Sequence, residues 1–167
     1  VDKVNWGAYG PGSTPHVLIE TMARQYGFKA EVVQYRGEAA MWADVTSQQL
    51  DGGSGSPAAS AGVIASGKGR IIAVAGDRLA AYPDTPTMTE QGAVGGFYET
   101  RAFAVFAVPS ATPQDIVKKL SDTLFEAGTD PKVQQLMTNY LIKGPLDFAQ
   151  TNAVFKRDTE VMLKVLK

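Results

Sequence analysis

Three times before residue 60, a short apolar run gives way to a glycine-bearing turn and then to a helix start. Val4 to Ala8 leads into Gly10-Pro11-Gly12-Ser13, Ala30 to Tyr35 into Arg36-Gly37-Glu38, and Leu50 to Ser54 into Gly55-Ser56-Pro57. This strand–helix alternation favours an α/β fold with a parallel sheet and helices on its faces. In such a sheet the three turns share one edge, where open α/β sheets bind ligands.

The helices carry their own punctuation. The first is expected over Ser13 to Tyr26, with Pro15 in its first turn, an apolar stripe of Leu18, Ile19, Met22, Ala23 and Tyr26, and Gly27 as the stop. Glu38 to Gln48 and Pro57 to Ser66 read as the next two. Arg70 to Ala75 reads as a buried strand, Asp77 to Gly96 as loop, and Glu99 to Val108 as an apolar strand halted by Pro109. Beyond it the chain is helical. Thr112 is the expected cap of a helix ended by Gly128. Asp130-Pro131 starts another, with Val133, Leu136, Met137, Tyr140 and Leu141 on one face, and a last helix spans about Phe148 to Leu166. The character changes near residue 100, so two lobes are expected, 1–100 and 101–167. One strand cannot close a sheet for the second part.

Composition narrows the chemistry. With 44% hydrophobic residues, 20% charged residues and a formal net charge of -1, the chain is globular and has no bulk attraction for nucleic acid or an anionic membrane. There is no cysteine, so thiolate and zinc–sulfur chemistry is excluded; a single histidine excludes a multi-histidine metal centre. No run reaches membrane-spanning length, so direct membrane insertion is not expected. The opening Val1-Asp2-Lys3-Val4 reads as a truncation or a processed end, with no signal peptide.

The sharpest local feature is Gly7-Ala8-Tyr9-Gly10-Pro11-Gly12-Ser13-Thr14-Pro15-His16. Glycines before a helix start leave N–H groups pointing outward at the positive end of the dipole, which suits an anion. The bland alternative is a plain capped turn. A dinucleotide fingerprint fails because Pro15 stands at its last glycine position, and a P-loop fails for want of a lysine between Lys3 and Lys29. No cofactor is expected. The turn Asp51 to Pro57 misses the nucleophile-elbow pattern, since Ser56 stands where glycine is needed; His16 would be the only base. It either lines the same cleft or is a flexible turn. Arg36 is expected to pair with Asp51 or Glu38 rather than with a ligand. His16 reads as a packing or capping residue, and Trp6 as the better cleft candidate of the two tryptophans.

These residues resemble a known family. Trp6 to His16 is similar to the Gly-Ser-x-Gly-x-Gly-Ser/Thr-x-His motif of the tripartite tricarboxylate transporter receptors, also called Bug receptors. Val33-Gln34-Tyr35-Arg36-Gly37 resembles their Val-Pro-Tyr-Lys/Arg-Gly, and Leu50-Asp51 their Val-Asp. Tyr82-Pro83-Asp84-Thr85-Pro86-Thr87 through Gly92 resembles their Pro-Asp-x-Pro-Thr-x-x-Glu-x-Gly, and Ala107 to Pro113 their Ala-Pro-x-x-Thr-Pro. The resemblance implies a type II-like periplasmic binding protein of two lobes. Residues 1–100 would be the second lobe, and 101–167 a returning strand and helices that complete the first. It implies a non-catalytic receptor that captures a small mono-, di- or tricarboxylate or an amino acid for membrane transporter subunits. By motif position the ligand-binding residues would be Ala8, Gly10, Gly12, Ser13 and Thr14, with Asp51 as a further candidate. Departures are Gln48 for glycine and Gln34 for proline, both expected near the cleft, and Phe103 for tryptophan and Val105 for glycine on the returning strand. Two other classes stay open: a sensing module that presents its liganded surface to a membrane sensor, and a hydrolase or phosphate-using enzyme. The apolar faces of the last helices are expected to promote dimerisation or aggregation.

Overall fold

A computed structural model describes residues 3–100, 105–139 and 142–165. The chain divides into two compact units, residues 1–99 and 100–167.

The first unit is an α/β layer structure. Its elements in chain order are β1 (Val4–Tyr9), α1 (Thr14–Tyr26), β2 (Ala30–Tyr35), α2 (Glu38–Thr46), β3 (Gly52–Gly53) and α3 (Pro57–Ala65). The strands form one parallel sheet in the order β2-β1-β3. Register pairs Trp6 with Val32 and Tyr9 with Tyr35 on one side of β1, and Trp6 with Gly52 and Gly7 with Gly53 on the other. The chain steps from β1 to β2 and then back across β1 to β3. Right-handed crossovers therefore place α1 and α2 on opposite faces, and both helices pack on β1.

Glycine in these strands is a packing requirement. A Cβ on Gly7 would lie 2.5 Å from Met41 Cγ and 2.9 Å from Leu50 Cδ1. On the other face, a Cβ on Gly52 would lie 2.4 Å from the Trp6 ring. Met41 and Ala8 are fully buried, and Val17, Ile19, Leu50 and Val63 nearly so. On α1 the buried positions are Pro15, Val17 and Ile19; Tyr26, expected in the stripe, lies half exposed and accepts the Val94 N–H at 3.2 Å. Gly27 ends α1 in the left-handed conformation, φ 72°.

Three sequence expectations change here. Arg70 to Ala75 is not a regular strand: Val74 makes an isolated parallel bridge to Thr87, and Ile72 is 57% exposed. Its neighbour contains Pro86, which has no N–H to continue a ladder. The strand expected over Leu50 to Ser54 contracts to the two glycines that fit between Trp6 and Met41. Helix α2 stops at Thr46, and Gln48 beyond it adopts a left-handed φ of 63°.

The loop 77–92 is held by Arg78. Its guanidinium donates to the Pro83 carbonyl at 2.6 Å, to the Thr85 carbonyl at 3.2 Å and to Glu90 at 2.6 Å. The hydrogen bond from Arg78, then that from the Thr87 N–H, holds the Glu90 carboxyl down at about 2. A 3-10 turn at Gly96–Glu99 buries Phe97 and Tyr98.

In the second unit, Arg101 to Ala104 of the expected strand, including Phe103, lie outside the described residues. Residues 105–109 are irregular, and Phe106 is 81% exposed. Among the described residues no strand lies beside this apolar run, so it has no ladder to join. Helix α4 (Gln114–Thr129) begins one residue later than the Thr112 cap predicts. Pro113 is the N-cap and offers no side-chain cap. Gly128, the expected stop, is instead a buried helical residue against the Pro145 ring, and the helix ends at Thr129 with Asp130 as its C-cap. Helices α5 (Pro131–Asn139) and α6 (Phe148–Val165) follow, each packing on α4. Tyr140, Leu141 and Leu166 lie outside the described residues. Among those described, no helix is long and apolar enough to cross a membrane, and no group of acidic residues and histidine is placed to hold a metal ion.

Candidate functional site

The carboxyl ends of β1 and β3 flank the point where the chain departs in opposite directions, α1 to one face and α3 alongside α2 on the other. Such a switch point is where an open parallel sheet leaves a crevice.

The β1–α1 turn forms one wall. Gly10 and Gly12 have φ of 79° and 75°, values that β-carbon sterics disfavour. Most of the turn's own amides are already engaged. The Gly10 N–H donates to the Tyr35 carbonyl at 3.2 Å, the Ser13 N–H to the Gly10 carbonyl at 3.2 Å, and the Gly12 N–H to His16 Nδ1 at 2.9 Å. The outward donors therefore lie one step further on than the motif suggests. Thr14 and His16 are leading residues of α1 whose N–H groups have no intrahelical acceptor, and Pro15 between them has no N–H. Beside them the Ser13 hydroxyl is enclosed without a hydrogen-bond partner, although Ser13 occupies the N-cap. Ala8 is fully buried opposite Gln34 and offers no side chain to the crevice.

His16 is the capping residue of this turn. Its Nδ1 accepts from Gly12, so the proton sits on Nε2, which donates to Glu20 at 3.0 Å. Both ring nitrogens are committed.

The β3–α3 turn forms the other wall. The Ser54 N–H donates to the Gly7 carbonyl at 3.2 Å, and the Trp6 indole donates to Ser54 Oγ at 2.9 Å. Ser56 caps α3, accepting the Ala59 N–H at 3.3 Å. Both the Ser56 N–H, at 2.8 Å, and its hydroxyl, at 3.0 Å, donate to Glu38 Oε2, which the Trp42 indole also reaches at 3.3 Å. The Tyr9 hydroxyl is pushed above its ordinary pKa by burial first, then by the charge of Glu38 and the hydrogen bond to it.

Asp51 stands apart from this edge. Its carboxylate accepts the Asn5 N–H at 2.7 Å and its own N–H donates to the Asn5 carbonyl at 3.0 Å. Asn5 is four residues before the end of β1, roughly 13 Å at about 3.3 Å per residue. A residue that precedes a parallel strand falls on the amino edge, so the fold does not bring Asp51 to the turn. Gln48 sits on that same far side, after α2, and not near the cleft. The expected pairing of Arg36 gives way too, since Glu38 and Asp51 take other partners. The indole–Ser54 bond and the Glu38 cluster were missed in the sequence. The one available signal was an acidic residue at the first position of a helix that shares its sheet edge with another helix start.

Residues 1–164 match the tripartite tricarboxylate transporter family receptor. A UPF0065 protein of Bordetella pertussis is 26% identical over 138 residues, covering 82% of this chain and 42% of that protein. Among solved structures, an R. palustris protein with adipate aligns with a TM-score of 0.76 at 24% identity, covering 97% of this chain and 55% of that one. A TctC solute binding protein from Polaromonas aligns with a TM-score of 0.70 at 19% identity, covering 98% and 57%. The chain thus spans about half the length of these proteins and shares the α/β fold of solute-binding proteins with a parallel sheet and flanking helices. With nearly its whole length matched, the chain belongs to the tripartite tricarboxylate transporter receptor family.

Proposed function

We propose that this chain captures one carboxylate group of a small metabolite at the start of α1, as the second lobe of a periplasmic receptor that delivers its ligand to membrane transporter subunits. Residues 101–167 would complete the first lobe. One observation carries the reading: the Thr14 and His16 amides lead α1 without intrahelical acceptors, next to a Ser13 hydroxyl that has no partner. Neutral donors at the positive end of a helix suit an anion. Family membership and the adipate-bound neighbour support a carboxylate as that anion.

The reading is one of binding without turnover. A serine hydrolase needs a base beside its nucleophile. Here His16 is committed to Gly12 and Glu20, while Ser54 holds the Trp6 indole.

Charge-assisted hydrogen bonds contribute roughly 1.5–3 kcal/mol each, and a helix dipole about 0.3–1 kcal/mol. Two or three such bonds reach roughly 5 kcal/mol before ordering costs, which is millimolar binding at best. The test is a tryptophan-fluorescence titration of this chain with mono-, di- and tricarboxylates and acidic amino acids. Trp6, bonded to the β3–α3 turn, is the reporter. Millimolar saturation is expected, weakened at least tenfold in Thr14→Pro, which deletes the amide at a position where proline suits a helix. A flat titration, or an unaltered Kd in that variant, would overturn the assignment.

A further inference from the structure

The carboxyl edge carries three helix starts, and each would ordinarily offer a positive dipole end to a ligand. Two of them are already served from within. Glu38 is the first residue of α2, so its carboxylate sits at that helix's own start. The same carboxylate reaches across to α3 and accepts both the N–H and the hydroxyl of its N-cap, Ser56, at 2.8 and 3.0 Å. The approach is close: a Cβ on Gly55 would lie 2.6 Å from Glu38 Oε2. Trp42 and Tyr9 complete its ring of donors.

We propose that Glu38 is a built-in anion that fills the α2 and α3 helix starts, so that this unit accepts one carboxylate only, at α1, and selects ligands whose adjoining part is neutral or a hydrogen-bond donor. The inference rests on the carboxylate reading above and deepens it. Tyr9, the residue just before Gly10, hydrogen-bonds the Glu38 carboxylate and so links that charge to the turn. One tyrosine side chain and a hydrogen bond reach about as far as one screening length, roughly 8–10 Å at physiological salt, so the charge is felt at the turn. A second ligand carboxylate directed toward β3 would find a like charge where it needs a donor.

The experiment compares adipate with its monomethyl ester, titrated into the intact chain and into Glu38→Gln by tryptophan fluorescence, with thermal melts to check folding. In the parent the half-ester binds at least as tightly as the diacid. In Glu38→Gln the preference moves toward the diacid by about tenfold. A parent that binds adipate tenfold or more tighter than the half-ester overturns the proposal, and this arm stands even if the variant does not fold. A folded variant with an unshifted ratio overturns it too, while leaving carboxylate binding intact. Failure of both probes to bind the parent sinks the carboxylate reading itself, and this inference with it.

Discussion

The two units solve the problem of burying apolar surface differently. Among the described residues, the nearly inaccessible hydrophobic side chains all belong to the first unit, from Ala8 through Met41 and Val63 to Tyr98. In the second, the nearly inaccessible residues are Gly128 and Asp158, while Leu120, Leu136, Phe148 and Phe155 are exposed. The difference follows from geometry. A parallel sheet with a helix on each face encloses its central strand, whereas two helices laid against a third enclose little. Amphipathic spacing therefore says that a helix has an apolar face, not that this chain covers it.

The largest effect that would break the comparison is a pair of truncations. Met41→Ala, which empties space beside Gly7 and Gly53, is expected to cost about 2–5 kcal/mol in urea unfolding. Leu120→Ala on α4 is expected to cost less than about 1 kcal/mol. Equal costs would mean that the helices hide a core of their own. A smaller effect comes from Gln48, a side-chain-bearing residue at φ 63°. Gln48→Gly relieves left-handed strain but loosens the unfolded chain, leaving a gain of about 0.5 kcal/mol; a loss would show that the side chain is held. The smallest is the exposed Arg78–Glu90 clip. With Glu90 depressed to about 2, its contribution is complete above the ordinary value of 4.5 and disappears as pH falls toward 2. An NMR titration of Glu90 should show the low midpoint, and Arg78→Ala should return it toward 4.5.

Much of the first unit was legible because punctuation and period agree there. Pro15 and Gly27 bracket α1, and the positive φ of Gly10 and Gly12 is what a glycine-rich strand–helix turn requires. Arg70 to Ala75 misled because an apolar β-branched run looks alike with or without a partner strand, and the partner's proline lies more than ten residues away. At the site, the turn was legible but its donors were not: a histidine ring nitrogen consumes the Gly12 amide, which no local pattern announces. Asp51 was misplaced by motif alone. Its place ahead of a strand parallel to β1, opposite Asn5, is what puts it toward the amino edge.

The brevity of β3 has a consequence for the molecule's life among other proteins. A sheet edge is a template on which a stray chain can pair, and cells suffer for long ones. Among the described residues, one border of the sheet is two glycines long, too short a run of backbone to recruit a newcomer. The opposite border, β2, carries Glu31 in an ion pair with Lys3, a charge that any invading strand would have to cover. Among the described residues the sheet is thus guarded against fibrous growth at both borders, by shortness on one side and by charge on the other.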